Sequence, residues 1–376
     1  MSALQDGVCW LTSDSLTEIE ALLRRHGWCQ REESVSRVRS AGEGNMNVTL
    51  RVTLEDAAGQ RRRVILKQSR PWVAKYPSIE APVDRISVER RFYELLPKLG
   101  PGGCAAARMM PKLLGGDAAS YTLLLEDLGN AADLSTVYAR GRLPGRAIAD
   151  LAGYLRGLHD ASVGRADTAA QALKASPLRR EEGVAGWGEP MVNAAMRALN
   201  REHFCEVPMA EGNGLDLEAI EPGLKKAAAE LRQDVDYRTR LVETAAEYAR
   251  DGSREPSAVL LHGDFFPGSW LDASGQTRVI DPEFAFEGPR SFDVGVAVAH
   301  LILACRADAA REFLGLYGSH PDLDRAWVGR FAAMEVMRRL IGVAQLPLPE
   351  RSDGWRAGLV LASREAMLAG DWEAMA

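Results

Sequence analysis

The spacing of apolar residues changes period once along this chain, and that change limits what it can fold into. The early stretches "SVSRVRSAG", "NVTLRVTLED" and "RRRVILKQS" alternate apolar with polar residues and are separated by "GEGN" and "AAGQ". This is the pattern of antiparallel strands joined by glycine turns. One amphipathic helix precedes them, in "TSDSLTEIEALLRRHG", with cap residues at its start and a Gly stop. From "DRISVERRFYELLPKLG" onward helical spacing takes over, interrupted by "SYTLLLEDLG", which reads as one more strand ending in a connector. Past Gly129 the chain reads as helix after helix, in "GRAIADLAGYLRGLHDAS", "GLKKAAAELRQDVDYRTRLVETAAEYARDG", "FDVGVAVAHLILACRADAAREFLGLYG" and "RAWVGRFAAMEVMRRLIGVAQL". One strand-like island lies in that half, "LLHGDFFPGSWLDASGQTRVIDPEFAF", and predicts an embedded β-hairpin. A chain of 376 residues exceeds the roughly 250–300 residues one core supports. The expected architecture is therefore α+β in two lobes, a small β-rich one over 1–127 and a larger, mostly helical one over 128–376, with a ligand-sized cleft between them.

Charge and cysteine usage narrow the setting. The chain has 46 Lys and Arg against 52 Asp and Glu, a net charge of -6, which argues against a nucleic acid or an anionic membrane surface as partner. Cys9, Cys29, Cys104, Cys205 and Cys305 are scattered and odd in number, so neither a disulfide framework nor a cysteine zinc site is indicated. The N-terminus lacks a basic segment followed by an apolar one, and no run approaches a membrane span. A cytoplasmic protein with a small-molecule partner is the expectation. The six histidines, at 26, 159, 203, 262, 300 and 320, form no ligand-spaced cluster.

The island carries the chemistry. Asp264 follows the apolar "AVLLHG" and Asp281 follows "TRVI", so each carboxylate stands at the end of a buried strand. Carboxylates in such places need a positive partner or a reaction to offset their desolvation. Phosphoryl transfer uses this arrangement, with one Asp to orient and deprotonate an attacking hydroxyl and further oxygens to hold Mg²⁺ against nucleotide phosphates. Asp264 suits the first role, and Asp281, Glu283 and Ser269 suit the second. His262 is expected to brace the loop by hydrogen bonding. In the β-rich half, Gly44 and Asn45 lie in a turn whose backbone N–H groups can approach phosphate, Lys67 ends the strand "VILKQ", and Glu89 in the next helix could reach that lysine.

Taken in order, the Gly-rich turn, strand Lys, helix Glu, connector, "HGD" with Ser five residues on, and "DPE" resemble the aminoglycoside phosphotransferase and choline kinase family of the protein-kinase-like fold, and within it the methylthioribose kinases. The resemblance spans nearly the whole chain. It implies that "GEGNMN" is the glycine-rich loop, that Lys67 pairs with Glu89 and contacts ATP, and that "LLLEDLG" is the adenine-binding hinge, with Glu126 and Leu128 beside the base. It further implies that "VIDPEFAFEGPRSFDVG" is the metal-binding segment with D-x-E in place of D-F-G. Arg338 and Arg339 of "RRLIGVAQL" would meet the sugar or the transferring phosphoryl group, roles a guanidinium suits. A homodimer is implied by the same likeness.

One departure concerns the acceptor. The resembled kinases carry Asp-Leu-His-Thr-Gly-Ser where this chain reads "DFFPGS", so an aromatic, Phe266, replaces a polar His, and Pro267 stiffens the loop. The expected function is an ATP- and Mg²⁺-dependent kinase acting on a sugar hydroxyl, methylthioribose or a related pentose. The alternatives are a kinase of the same fold for another alcohol, such as an aminoglycoside or an amino alcohol, and a nucleotide-binding pseudokinase. Loop "PWVAKYPSIEAPVD" could close on the site, with Trp72 and Tyr76 either in it or in packing, and "ALNREHFCEVPMAEGNGLDLEAIEPGL" is expected on the substrate side.

Overall fold

The computed structural model describes residues 4–5, 7–42, 46–139, 141, 143–164, 191–250, 252, 255–352 and 354–376. Its first half is built on a five-stranded antiparallel sheet of β1 (Ser34–Ser40), β2 (Val48–Glu55), β3 (Arg61–Gln68), β4 (Leu113–Asp117) and β5 (Thr122–Glu126), in the order β1-β2-β3-β5-β4. The period-2 alternation sorts its residues between two faces. Val52, Leu54, Val64, Leu66 and Leu124 form a core with Ile19, Leu22 and Leu23 of helix α1 (Leu16–Arg25). Ile65 and Lys67, one residue out of phase, turn to the opposite face, with Arg51 and Thr49 beside them on β2. Helix α2 (Arg85–Leu95) buries Ile86, Glu89 and Tyr93, which share one stripe at helical spacing.

The second half is helical around two buried members, α8 (Ser291–Leu303) and α10 (Arg325–Ile341), reached through α3 (Gly100–Ala107), α4 (Ala147–Ser162), α5 (Ala194–Arg201), α6 (Leu224–Gln233) and α7 (Val235–Ala249). Helix α9 (Ala307–Tyr317) lies between them in sequence, and α11 (Trp355–Ala369) follows. Every residue of α8 is buried, as an all-round apolar helix requires. Gly295 lets it approach α10, since a Cβ there would lie 2.8 Å from that of Phe331. This contact sets His300 of α8 against Glu335 of α10.

The island is not the single hairpin the sequence suggests. Strand β7 (Val259–Leu261) pairs with β10 (Phe286–Gly288), while β8 (Trp270–Ala273) and β9 (Gln276–Val279) form the hairpin and take β6 (Ala132–Asp133) as a third strand. Ser274 and Gly275, both at positive φ, supply the tight turn. The architecture is the expected two-lobed α+β fold. Among the described residues no helix is long and apolar enough to cross a membrane.

Candidate active site

Between the lobes lies a cavity of about 320 Å³. Ile65, Leu125, Leu128, Leu271 and Ile280 give it apolar walls, and Lys67 and Asp281 line it as well. Lys67 Nζ stands 2.6 Å from Glu89 Oε2 and 2.8 Å from Asp281 Oδ1, so one ammonium ties strand β3, helix α2 and the second lobe together. Burial pulls this ammonium down, but Asp281, Glu89 and Glu283 outweigh it and hold Lys67 above the usual lysine range. Burial is also the main influence on Glu89 and pushes it up, against the pull of Lys67. Asp281 takes a left-handed backbone, φ 65° and ψ 52°, which Asp tolerates better than most residues and which starts the turn Pro282–Phe284. Its side chain is 43% exposed, the one accessible carboxylate of the Lys67 cluster.

Glu283, two residues on, faces a different partner. Its Oε2 accepts from Asn47 Nδ2 at 2.8 Å and from Arg85 Nε at 3.0 Å, both buried. Arg85 also donates to the carbonyls of Met46, Arg70 and Pro82, so it gathers the flank of the Gly-rich turn and the start of α2 around Glu283. Gly44 and Asn45 lie outside the described residues. Trp72 packs on Trp10 with Arg70 over both rings, whereas Tyr76 is 44% exposed.

Glu126 and Leu128 line the cavity at the connector. The Glu126 carboxylate accepts from Lys112 N at 3.1 Å. Asp127 between them is ion-paired to Arg51 at 2.9 Å and Arg63 at 3.3 Å, which fixes the connector to the sheet.

Asp264 stands on the segment after β7, and three contacts shape that segment. Asp293, at the start of α8, accepts from His262 N at 2.7 Å and Gly263 N at 3.0 Å. His262 Nε2 donates to the Ile280 carbonyl at 2.9 Å, the bracing expected of it. Gly263 has φ +86°, and a Cβ there would sit 2.1 Å from the Phe284 carbonyl oxygen, so no other residue fits. Ser269 is buried, its hydroxyl 3.2 Å from the Asp264 carbonyl. Asp293 is held in turn by His159 at 3.2 Å, whose other nitrogen meets Tyr317 OH at 2.9 Å.

The Asp264 carboxylate faces both arginines, with Arg338 Nη1 3.8 Å and Arg339 Nη2 3.6 Å from Oδ1. Burial raises its pKa to about 6, with Arg338 and Arg339 opposing. The same arginines grip Glu335, one turn back on α10, at 3.3 Å and 2.6 Å. Glu335 also meets His300 Nε2 at 2.9 Å, and His300 Nδ1 meets Tyr138 OH at 2.6 Å. The guanidinium of Arg338 lies 4.6 Å from the Phe204 ring and that of Arg339 5.2 Å from the Phe266 ring. Glu335, His300, Tyr138, Asn47, Arg85 and Asp293 were not singled out from sequence. A lone His inside "VAVAHLIL" and a Glu spaced three and four residues before paired arginines are the signals that could have found two of them.

Among the described residues no group of three His, Cys, Asp or Glu side chains is placed to hold a metal. The cavity, the Lys67 clamp and the arginine-flanked carboxylate are the parts phosphoryl transfer uses.

Comparison with known proteins finds relatives of the chain. A methylthioribose kinase from Exiguobacterium sibiricum is 28% identical over 271 residues, 72% of this chain and 62% of that one. A methylthioribose kinase from Bacillus cereus is 25% identical over 293 residues, 77% of this chain and 66% of that one. The matches thus span less than two thirds of these relatives' own length. A spectinomycin phosphotransferase, solved with ADP and spectinomycin, overlays at TM-score 0.48 and 14% identity over 86% of each chain. Residues 49–327 match the phosphotransferase enzyme family, and the chain belongs to that family, with its protein-kinase-like bilobal fold.

Proposed function

We propose that the chain is an ATP- and Mg²⁺-dependent kinase that phosphorylates a sugar hydroxyl, with methylthioribose as the favoured acceptor. The observation that carries this reading is the Lys67–Glu89–Asp281 clamp beside an apolar cavity, in a chain that also presents Asp264 between two arginines. The names of the relatives support the choice of acceptor.

In this reading the adenine ring lies between Ile65, Leu128 and Ile280, and the backbone at Glu126 and Leu128 meets its edge. Lys67, held by Glu89, positions the α- and β-phosphates. Asp264 accepts the proton of the acceptor hydroxyl as its oxygen bonds to the γ-phosphorus and the bond to the ADP oxygen breaks. Arg338 and Arg339 neutralise charge on the transferring group. The lobes divide at the connector, 1–127 for nucleotide and 128–376 for acceptor.

Magnesium fits the donor set present. Mg²⁺ takes few protein ligands and completes its shell with phosphate oxygens and water. The accessible Asp281 carboxylate and the Ser269 hydroxyl meet that need, with Glu283 behind them on Asn47 and Arg85. When bound, the ion would offset phosphate charge.

The test is ADP release from Mg·ATP over methylthioribose, ribose, choline and kanamycin, with Asp264→Asn alongside. Turnover on methylthioribose that falls about 10²–10⁴-fold in the variant is the expected result for loss of a general base. Turnover only on another acceptor would favour a second reading, a same-fold kinase for a different alcohol. The aromatic Phe266 against Arg339 is the feature that supports it. Nucleotide binding without turnover on any acceptor would overturn both.

A further inference from the structure

Two relays, each running from a Tyr through a His to a carboxylate, converge on the segment that carries Asp264. In one, Tyr317, His159 and Asp293 lead to the backbone N–H groups of His262 and Gly263. In the other, Tyr138, His300 and Glu335 lead to the guanidinium groups of Arg338 and Arg339. The first fixes where the Asp264 backbone lies, and the second ends on the cations that face its carboxylate.

We infer that Glu335 is a positioning residue for phosphoryl transfer, holding both arginines in register with Asp264, and that His300 and Tyr138 fix its orientation. Four observations carry this. Glu335 is fully buried, and both its oxygens are engaged, Oε1 by Arg339 and His300 and Oε2 by Arg338. The arginines stand closer to Glu335 than to Asp264, 2.6 Å and 3.3 Å against 3.6 Å and 3.8 Å, so Glu335 decides their orientation. Neighbouring rings restrict the rest, Phe204 on Arg338 and Phe266 on Arg339. Finally, the relay has one consistent proton order. Burial lowers His300 to about 4 and leaves it neutral; Nε2–H donates to Glu335, and Nδ1 accepts from Tyr138 OH.

The inference rests on the reading of Asp264 as general base, and the test separates the two. The full chain is assayed with Mg·ATP and methylthioribose as wild type, Glu335→Gln, Glu335→Asp and Tyr138→Phe, with ADP affinity measured on each. Glu335→Gln should lower kcat about tenfold to a hundredfold while leaving the acceptor KM and ADP affinity within about twofold. Glu335→Asp, which keeps the charge on the arginines, should recover part of that kcat. Wild-type kcat in folded Glu335→Gln, or lost kcat with equally weakened ADP binding, would overturn the inference. If Glu335→Gln does not fold, Tyr138→Phe decides: a kcat loss of about twofold to fivefold at constant ADP affinity supports the relay, and wild-type kcat overturns it. A wild type inactive on methylthioribose but releasing ADP to water refutes the acceptor alone, and the variants are then read in that release. A wild type with neither activity overturns both the general base and its positioning.

Discussion

Asp264 is a carboxylate whose surroundings disagree about its charge. Burial pushes its pKa to about 6, and two arginines hold it from going further. A base must be ionised to act, so kcat/KM should fall about tenfold per pH unit below about pH 6, as a pH–rate profile on the accepted substrate will show. The same shift has a stability consequence of opposite sense. A carboxyl whose folded pKa lies above its unfolded value of 3.8 stabilises the fold only when protonated, and that contribution is lost as pH rises through about 6. Asp264→Asn should therefore melt no lower than wild type at pH 8, with the advantage gone by about pH 4, measurable by scanning fluorimetry. Asp264 was legible in the sequence because it follows an apolar strand, where a charge has no packing reason to be, whereas Lys67 stood out only through its order with the Gly-rich turn, Glu89, "HGD" and "DPE". Glu335 was not, because a Glu followed at three and four residues by arginines is also what a solvated helix face looks like. Only its burial between α8 and α10 separates the two cases.

At the scale of elements, periodicity located most of the strands and helices and failed where a break has no period of its own. Strand β4 went unrecognised because its "LLGGD" carries glycines where a strand would carry branched residues, one of them to admit the Trp28 ring. The stretch 224–249 reads as one helix yet divides at Asp234, which caps α7 by accepting from Tyr237 N. The stretch after α8 breaks at Cys305, at φ 55°. The island misled more deeply, since pairing of β7 with β10 encloses the β8–β9 hairpin, and local alternation carries no information about such non-local partners. The segment that presents Asp264 depends on the N-terminal turn of α8. Asp293→Ala would leave two buried N–H groups without an acceptor, at about 1–3 kcal/mol each. A loss of roughly 2–5 kcal/mol in denaturant unfolding is expected, together with loss of turnover.

For the molecule as a whole, the buried ties between the lobes among the described residues include Lys67 to Asp281 and both Arg85 and Asn47 to Glu283. Arg85 joins α2, the flank of the Gly-rich turn and Glu283 of the other lobe. Arg85→Met should leave Glu283 buried without its cation and weaken ADP binding about tenfold, which titration calorimetry would register while the helical lobe keeps its core. The two-lobed outline was readable from one change of period, but the ties between lobes join residues some 200 positions apart and leave no local trace. The buried histidines add something practical. His159, His262 and His300 are wholly enclosed, and each directs an imidazole nitrogen at an acceptor oxygen. Protons held this way exchange slowly with solvent and resonate far downfield of the amide envelope, so a one-dimensional proton spectrum in water contains up to three isolated lines. Each line would report, without any label, whether its own part of the larger lobe is closed.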